Sequence, residues 1–215
     1  CHLTASGDDY RNANLSRDYR KKLRSKQRKL AELGDLKFVQ ADSPEQATGI
    51  LQAFYTQKLK RFDDQNIKSE FDTPETRQFM TRAATAHHAD GSPGLELFAL
   101  TCGDKIVATF GGGTHQDCFY GLFNSFEADP AYSRHSPGDI LLSHLIDETC
   151  HQGLTRLDLG MGESRYKDIW CNLSTPMCDT VIGFSPRGHA MAALVAVRQT
   201  LKRRVKQSKW AWPLA

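Results

Sequence analysis

The chain has 215 residues, 40% of them hydrophobic and 25% charged, enough for one large domain with an accessory segment. No apolar run approaches the roughly 18 residues of a membrane span, and no secretory pattern stands at the start. The formal net charge of +3 hides an imbalance: segment 17–29 carries eight Lys and Arg against Asp18 alone, and segment 198–209 carries six with no acid. Such ends suit nucleic acid, anionic lipid or a polyanionic cofactor, and equally the solvated faces of two helices. The six cysteines, Cys1, Cys102, Cys118, Cys150, Cys171 and Cys178, contain no CxxC and match neither a zinc site nor a disulfide framework. A reduced, cytoplasmic protein without a metal site is expected. A first residue of Cys1 rather than Met points to a piece of a longer protein or a processed chain.

In chain order, residues 1–14 are polar and aperiodic and read as a frayed lead-in. Ser16 caps a basic helix with a sparse apolar stripe of Tyr19, Leu23, Leu30 and Leu33, stopped by Gly34. Leu36 to Ala41 reads as a strand. Ser43-Pro44-Glu45 and Thr73-Pro74-Glu75 each open a helix, the second ending near His87 and His88. Leu95–Cys102 and Lys105–Gly111 are strands joined by the tight turn Gly103-Asp104, and Cys118–Phe126 is a third, after a turn at Thr114-His115-Gln116-Asp117. Ser136-Pro137-Gly138 opens an apolar helix running to about Gly153. Thr155–Gly160 is then a strand parallel to its neighbour, since it follows a crossover helix. Arg165–Cys171 reads as a short helix, Cys178–Phe184 as a strand, and about 187–207 as a closing helix. The order gives a mixed α/β fold: a polar lead-in and basic helix over 1–35, a main domain over 36–185 in which 95–185 reads as the catalytic unit, and a basic helix and tail over 186–215.

The Ser136-Pro137-Gly138 turn is the most informative stretch. The first amides of a helix lack intrahelical partners and the helix dipole adds positive charge there, so such a turn seats a phosphate. Read alone, it is only a serine N-cap with proline in the first turn.

Several ordered pieces carry a family resemblance. They are Lys22-Leu23-Arg24-Ser25-Lys26-Gln27-Arg28-Lys29-Leu30, Lys105-Ile106-Val107-Ala108, Ser136-Pro137-Gly138-Asp139-Ile140-Leu141-Leu142 and Asp158-Leu159-Gly160-Met161-Gly162-Glu163-Ser164-Arg165-Tyr166-Lys167-Asp168-Ile169-Trp170. Over roughly 17–185 the chain resembles GNAT-superfamily acyltransferases, of the branch related to FemAB-type transferases and to CelD-like proteins of cellulose biosynthesis. The resemblance implies a GNAT-like fold, a mixed and mostly antiparallel central sheet flanked by helices, with acetyl-CoA or another acyl-CoA wedged between two splaying parallel strands, Cys118–Phe126 and Thr155–Gly160. It implies pantetheine pairing along Asn124-Ser125-Phe126 and a pyrophosphate against Arg134, His135, Ser136, Gly138 and Asp139. The family's glycine-rich phosphate loop is replaced here by Ser133-Arg134-His135-Ser136-Pro137-Gly138, in which Pro137 has no N–H. Tyr166 falls where GNAT relatives place the tyrosine that protonates the leaving thiolate; the alternative is a half-buried ring packed beside Trp170.

Acyl transfer needs a deprotonated acceptor, a polarised carbonyl and a proton for the thiolate. Asp158 and Glu163 are the candidate bases; Asp158, in a buried strand, suits a salt bridge or hydrogen bond, as to Lys167 or Arg165, better than catalysis. Lys167 is a candidate for holding an anionic group. Gly112, in the Gly111-Gly112-Gly113 run, offers close backbone approach to substrate or merely strand packing. His115 and His135 are loop bases by the same reading. The expected function is acyl transfer to an amino or hydroxyl group, such as that of a polysaccharide or envelope precursor. Two rivals stand beside it: a FemAB-like transferase using aminoacyl-tRNA, with helix 17–30 as RNA contact, and a non-catalytic GNAT-like assembly module.

Overall fold

The computed structural model describes residues 1–64, 73–86, 91–162, 164–178 and 180–207, with backbone alone for 61–64 and 202–207. They fall into two compact units, 1–173 and 174–215.

In strand β2 (Glu96–Cys102), Leu97 and Ala99 alternate with Phe98, Leu100 and Cys102, and all five are buried. A strand apolar on both faces must be covered on both. One face packs with helices α1 (Gly7–Asn14), α2 (Arg17–Ala31) and α6 (Pro137–His151), through Tyr10, Leu30, Ile140 and Leu145. The other packs with α3 (Pro44–Asp64) and α4 (Pro74–Thr85), through Ile50, Phe54 and Met80.

The sheet runs in chain order from β1 (Leu36–Gln40) through β2, β3 (Lys105–His115) and β4 (Cys118–Phe126) to β5 (Arg156–Asp158). Every pairing is antiparallel except β4–β5, which α6 makes parallel as a crossover connection. This is the mixed, mostly antiparallel sheet flanked by helices that the resemblance implies. A bulge lets Leu122 slip between Gly112↔Gly121 and Gly111↔Phe123, bending β4 at its middle.

Three expectations need correction, and one short helix is added to them. The N-terminal residues are not frayed. Ser6 caps α1 by accepting from the Asp9 amide at 3.1 Å, Arg11 bridges Asp8 and Asp147, and Tyr10 is fully buried. Gly7 lies so close to Asp147 that a Cβ there would stand 1.9 Å from its carboxylate, which explains a glycine at a docking point. A single tyrosine in fourteen mostly polar residues is too little periodicity to announce a helix. Strand β3 continues through His115, leaving Gln116-Asp117 as the turn, with Gln116 at φ 54. The Pro130–Ser133 segment forms a short helix, α5, capped by the Asp129 side chain. Cys178–Phe184 forms no strand in its described residues, where Val181, Ile182 and Phe184 are exposed.

The helix opened by Thr73 ends at Thr85, and His87 and His88 lie outside the described residues. In the second unit, the described structure is an irregular stretch followed by α8 (Pro186–Gln207). No described helix is long and apolar enough to cross a membrane.

Candidate active site

Strands β4 and β5 stay paired for only three positions, Cys118↔Arg156 to Tyr120↔Asp158. Beyond them the chain leaves the sheet. Asp158 accepts from the Gly160 amide at 2.7 Å, and Gly160 turns at φ +78, a conformation that favours glycine. Gly121 and Gly160 also permit close approach, since a Cβ on Gly160 would stand 3.3 Å from the Gly121 carbonyl. Strand β4 meanwhile continues to Phe126, paired with β3 alone, so its Gly121–Phe126 edge has no strand partner on the β5 side among the described residues. A cavity of about 200 Å³ opens at this parting, with Gly121, Asn124, Leu159, Gly160 and Tyr166 among its walls.

Tyr166 is set by its helix, α7 (Arg165–Trp170). Trp170, four residues on and therefore on the same face, is fully buried; its indole donates to Asp139 at 3.3 Å and meets Tyr19 edge-on. With α7 anchored, the half-buried Tyr166 hydroxyl accepts a long 3.4 Å bond from the Asn124 amide on the free part of β4. Burial raises the phenol above its ordinary pKa, against a lowering by the Asn124 bond, so the proton is retained at neutral pH. Tyr166 thus packs on the core and also reaches the strand edge.

Asp158 is not buried, and it makes no ion pair with Lys167 or Arg165. Being at the last position of a strand whose neighbour departs, it stays exposed and caps the Gly160 turn. The Lys167 ammonium instead donates to the carbonyls of Gly160, Met161 and Gly162 at 3.0, 2.8 and 3.3 Å, pinning the loop that follows β5. Glu163 lies outside the described residues. Gly112 is held by packing, because a Cβ would stand 2.3 Å from the Tyr120 carbonyl and 2.5 Å from the Phe119 ring. Ser125 presents only backbone to the free edge, as its hydroxyl is bound to Thr109 and Gln57 on the α3 face. His115 stands at the far end of β4, beside the hairpin turn.

The loop ahead of α6 departs from the expected cradle. The amides of His135 and Ser136 already donate to Tyr132 and Ser133, both at 2.9 Å, and that of Asp139 to Ser136 at 3.1 Å. Ser136 does not cap with its side chain; it sits at φ 51, ψ 59, and its hydroxyl takes a hydrogen bond from the Lys26 ammonium. The short α5 helix runs straight into this turn and consumes the amides that a more open loop would leave free. Arg134 donates to the neighbouring His135 imidazole at 3.1 Å, and His135 is buried with its pKa lowered, first by desolvation and then by Arg134. The Asp139 carboxylate serves Trp170. Gly138 lies beside the end of β4, where a Cβ would be 3.8 Å from the Phe126 ring.

A larger cavity, about 380 Å³, lies between α2, the first turn of α6 and α7. Its walls carry Lys22, Lys26 and Arg165 against the single carboxylate of Asp139, with Tyr19 and Tyr166 alongside. By sequence α2 suits either an anion contact or a solvated face. The missed signal was spacing, because Tyr19, Lys22, Leu23 and Lys26 form one face of a helix at i, i+3, i+4 and i+7. Tyr166 lines both cavities.

Residues 17–168 match the family model described as an acetyltransferase (GNAT) domain. The chain belongs to the GNAT acetyltransferase family. The reaction class of this GNAT domain is acyl transfer from a donor to an acceptor substrate. No curated protein matches its sequence. Among solved structures, an aminoglycoside acetyltransferase from an uncultured soil metagenomic sample, in complex with trehalose, superposes with a TM-score of 0.49 at 9% identity, over 70% of this chain and 97% of that one. The complex of that enzyme with sisomicin gives 0.48 at 10% identity, over the same shares. A C-terminal domain (DUF2156) assigned to a lysylphosphatidylglycerol synthetase of Agrobacterium fabrum gives 0.44 at 18% identity, over 69% of this chain and 43% of that one. At these values the likenesses carry no argument about substrate.

Proposed function

We propose that this GNAT domain transfers an acyl group from acyl-CoA, acetyl-CoA first among the candidates, to an amino or hydroxyl group. The supporting observation is the parting of β4 from β5, which leaves the Gly121–Phe126 edge unpaired beside Tyr166. A pantetheine arm carries amides, and an unpaired strand edge binds amides as it would a further strand. The thioester then lies at the cavity where the strands diverge. The acceptor's lone pair attacks the thioester carbon, its proton passing to a base for which Asp158 and Glu163 are the proposed groups. As the tetrahedral adduct collapses, the C–S bond breaks and the thiolate takes the Tyr166 proton, which solvent replaces. A phenol kept protonated by burial suits that donation.

The CelD-like and FemAB-related branch makes a carbohydrate or envelope-polymer precursor the proposed acceptor, by analogy of family. The exposed basic residues of α2 support a second reading, in which the donor is an aminoacyl-tRNA. Calorimetric titration with acetyl-CoA, longer acyl-CoAs and free CoA tests the first reading, and binding of at least one thioester is expected. Absence of binding across the panel overturns it. Steeply salt-dependent binding of charged tRNA would then favour the second reading.

A further inference from the structure

The proposed donor carries several phosphate charges, and the loop that would meet them is short of free donors. Pro137 has no N–H, and the amides of His135, Ser136 and Asp139 are engaged within the turn. Gly138 alone among these residues keeps a first-turn amide without a carbonyl partner. One amide is a poor match for a pyrophosphate, which presents many acceptor oxygens.

Cations stand next to this gap. In the 380 Å³ cavity, Lys22 and Arg165 make no ion pair or hydrogen bond among the described residues, and Lys26 donates only to the Ser136 hydroxyl. Three like charges facing one space repel one another, and the arrangement is stabilised when an anion enters. The sole carboxylate on these walls, Asp139, accepts from the Trp170 indole and offsets one of the three positive charges, so the cavity keeps a cationic excess. Tyr19, on the same wall, has a buried hydroxyl with no hydrogen-bond partner among the described residues. The cavity shares Tyr166 with the smaller one at the β4–β5 parting, so a ligand laid along the strand edge past Tyr166 is led into the cationic space.

We propose that Lys22 and Lys26 of α2, with Arg165 of α7, form a phosphate-binding site made of side chains, which takes the phosphates of a nucleotide-bearing thioester donor in place of a backbone-amide cradle. The inference rests on the acyl-CoA reading and adds the residues that recognise the donor's charged end. Arg165 supplies a planar fork for two phosphate oxygens, while the two lysines act as point charges one helical turn apart. The thioester end is untouched by these groups.

The test compares wild type, Lys22→Ala/Lys26→Ala and Arg165→Ala by calorimetry, against acetyl-CoA and against acetyl-pantetheine, which has the thioester arm but no phosphate. Urea titration verifies folding, and Lys22→Arg/Lys26→Arg restores charge without restoring shape. Acetyl-CoA affinity is expected to fall about tenfold or more for each cation lost, with the arginine variant close to wild type. Acetyl-pantetheine affinity is expected to be the same in all folded variants, and raised salt should weaken acetyl-CoA binding in wild type more than in the double variant. Acetyl-CoA binding that is unchanged in both alanine variants overturns the phosphate site and leaves the acyl-CoA reading standing. Wild type that binds neither thioester overturns both. Loss of RNA binding in the variants with acetyl-CoA binding intact also overturns the proposal, since the cations would then serve a nucleic acid.

Discussion

The Asn124 side-chain amide donates to the Tyr166 hydroxyl across 3.4 Å, joining the free part of β4 to α7. The hydroxyl accepts in this bond, which therefore does not use the phenol's own proton. The two residues are 42 apart in sequence, and only the parting of β4 from β5 lets α7 approach the strand there.

Replacing Tyr166 with Phe should reduce kcat by about 10²–10⁴-fold while acetyl-CoA affinity stays nearly constant. Steady-state kinetics with calorimetry checks this split. Turnover equal to wild type would remove Tyr166 from proton transfer.

Replacing Asn124 with Ala should cost less, about tenfold in kcat, because it frees the phenol without deleting it. A double-mutant cycle with Tyr166→Phe should be strongly non-additive, the second change adding little to the first. Full additivity would show that the two side chains act separately.

Gly112→Ala should destabilise the domain by about 1–3 kcal/mol through overpacking against the Tyr120 carbonyl and the Phe119 ring. Urea unfolding measures the loss. Thioester affinity of the folded variant should be unchanged; a selective loss of affinity at full stability would return Gly112 to the ligand site.

Tyr10→Ala should cost about 3–5 kcal/mol, as for other large aromatic truncations in a core. Tyr10→Phe should cost about 1 kcal/mol, since it removes only the bond from the hydroxyl to the Trp170 carbonyl. A thermal melt indifferent to both would restore the picture of a frayed N-terminus.

Acid should destabilise the domain through His135 and His144. Both are lowered from 6.5, chiefly by burial, with Arg134, Lys29 and Lys26 adding to the effect on His135 and Arg11 on His144, against Asp147. A depressed folded-state pKa means that the unfolded chain binds the proton first. Their contribution is therefore complete above about pH 6.5 and is lost as the pH falls through the lower folded values. His144→Gln should flatten stability against pH in that acidic range, as read by urea midpoints at a series of pH values.

The sequence by itself determined the elements whose causes are local. Ser16 and Thr73 cap helices by bonding amides three residues on, and proline pre-sets the first turn of α3 and α6. The tight turn at Gly103-Asp104 makes the β2–β3 hairpin, and the length of the α6 crossover makes β5 parallel to β4. The ordered motifs from Lys22 to Trp170 carried the family. Local chemistry did not tell which donors were already spent. Whether the His135 and Ser136 amides were free depended on α5, and whether Lys167 met Asp158 or three carbonyls depended on where the Gly160 turn placed the loop. Nor did it tell that α2, over a hundred residues from Ser136, brings Lys22 and Lys26 to the first turn of α6. Capping and turn preferences act over a few residues, and so they can be read one window at a time. A binding site is assembled by non-local packing, in which burial of Leu23, Leu30 and Trp170 in one core decides which charged neighbours share a cavity.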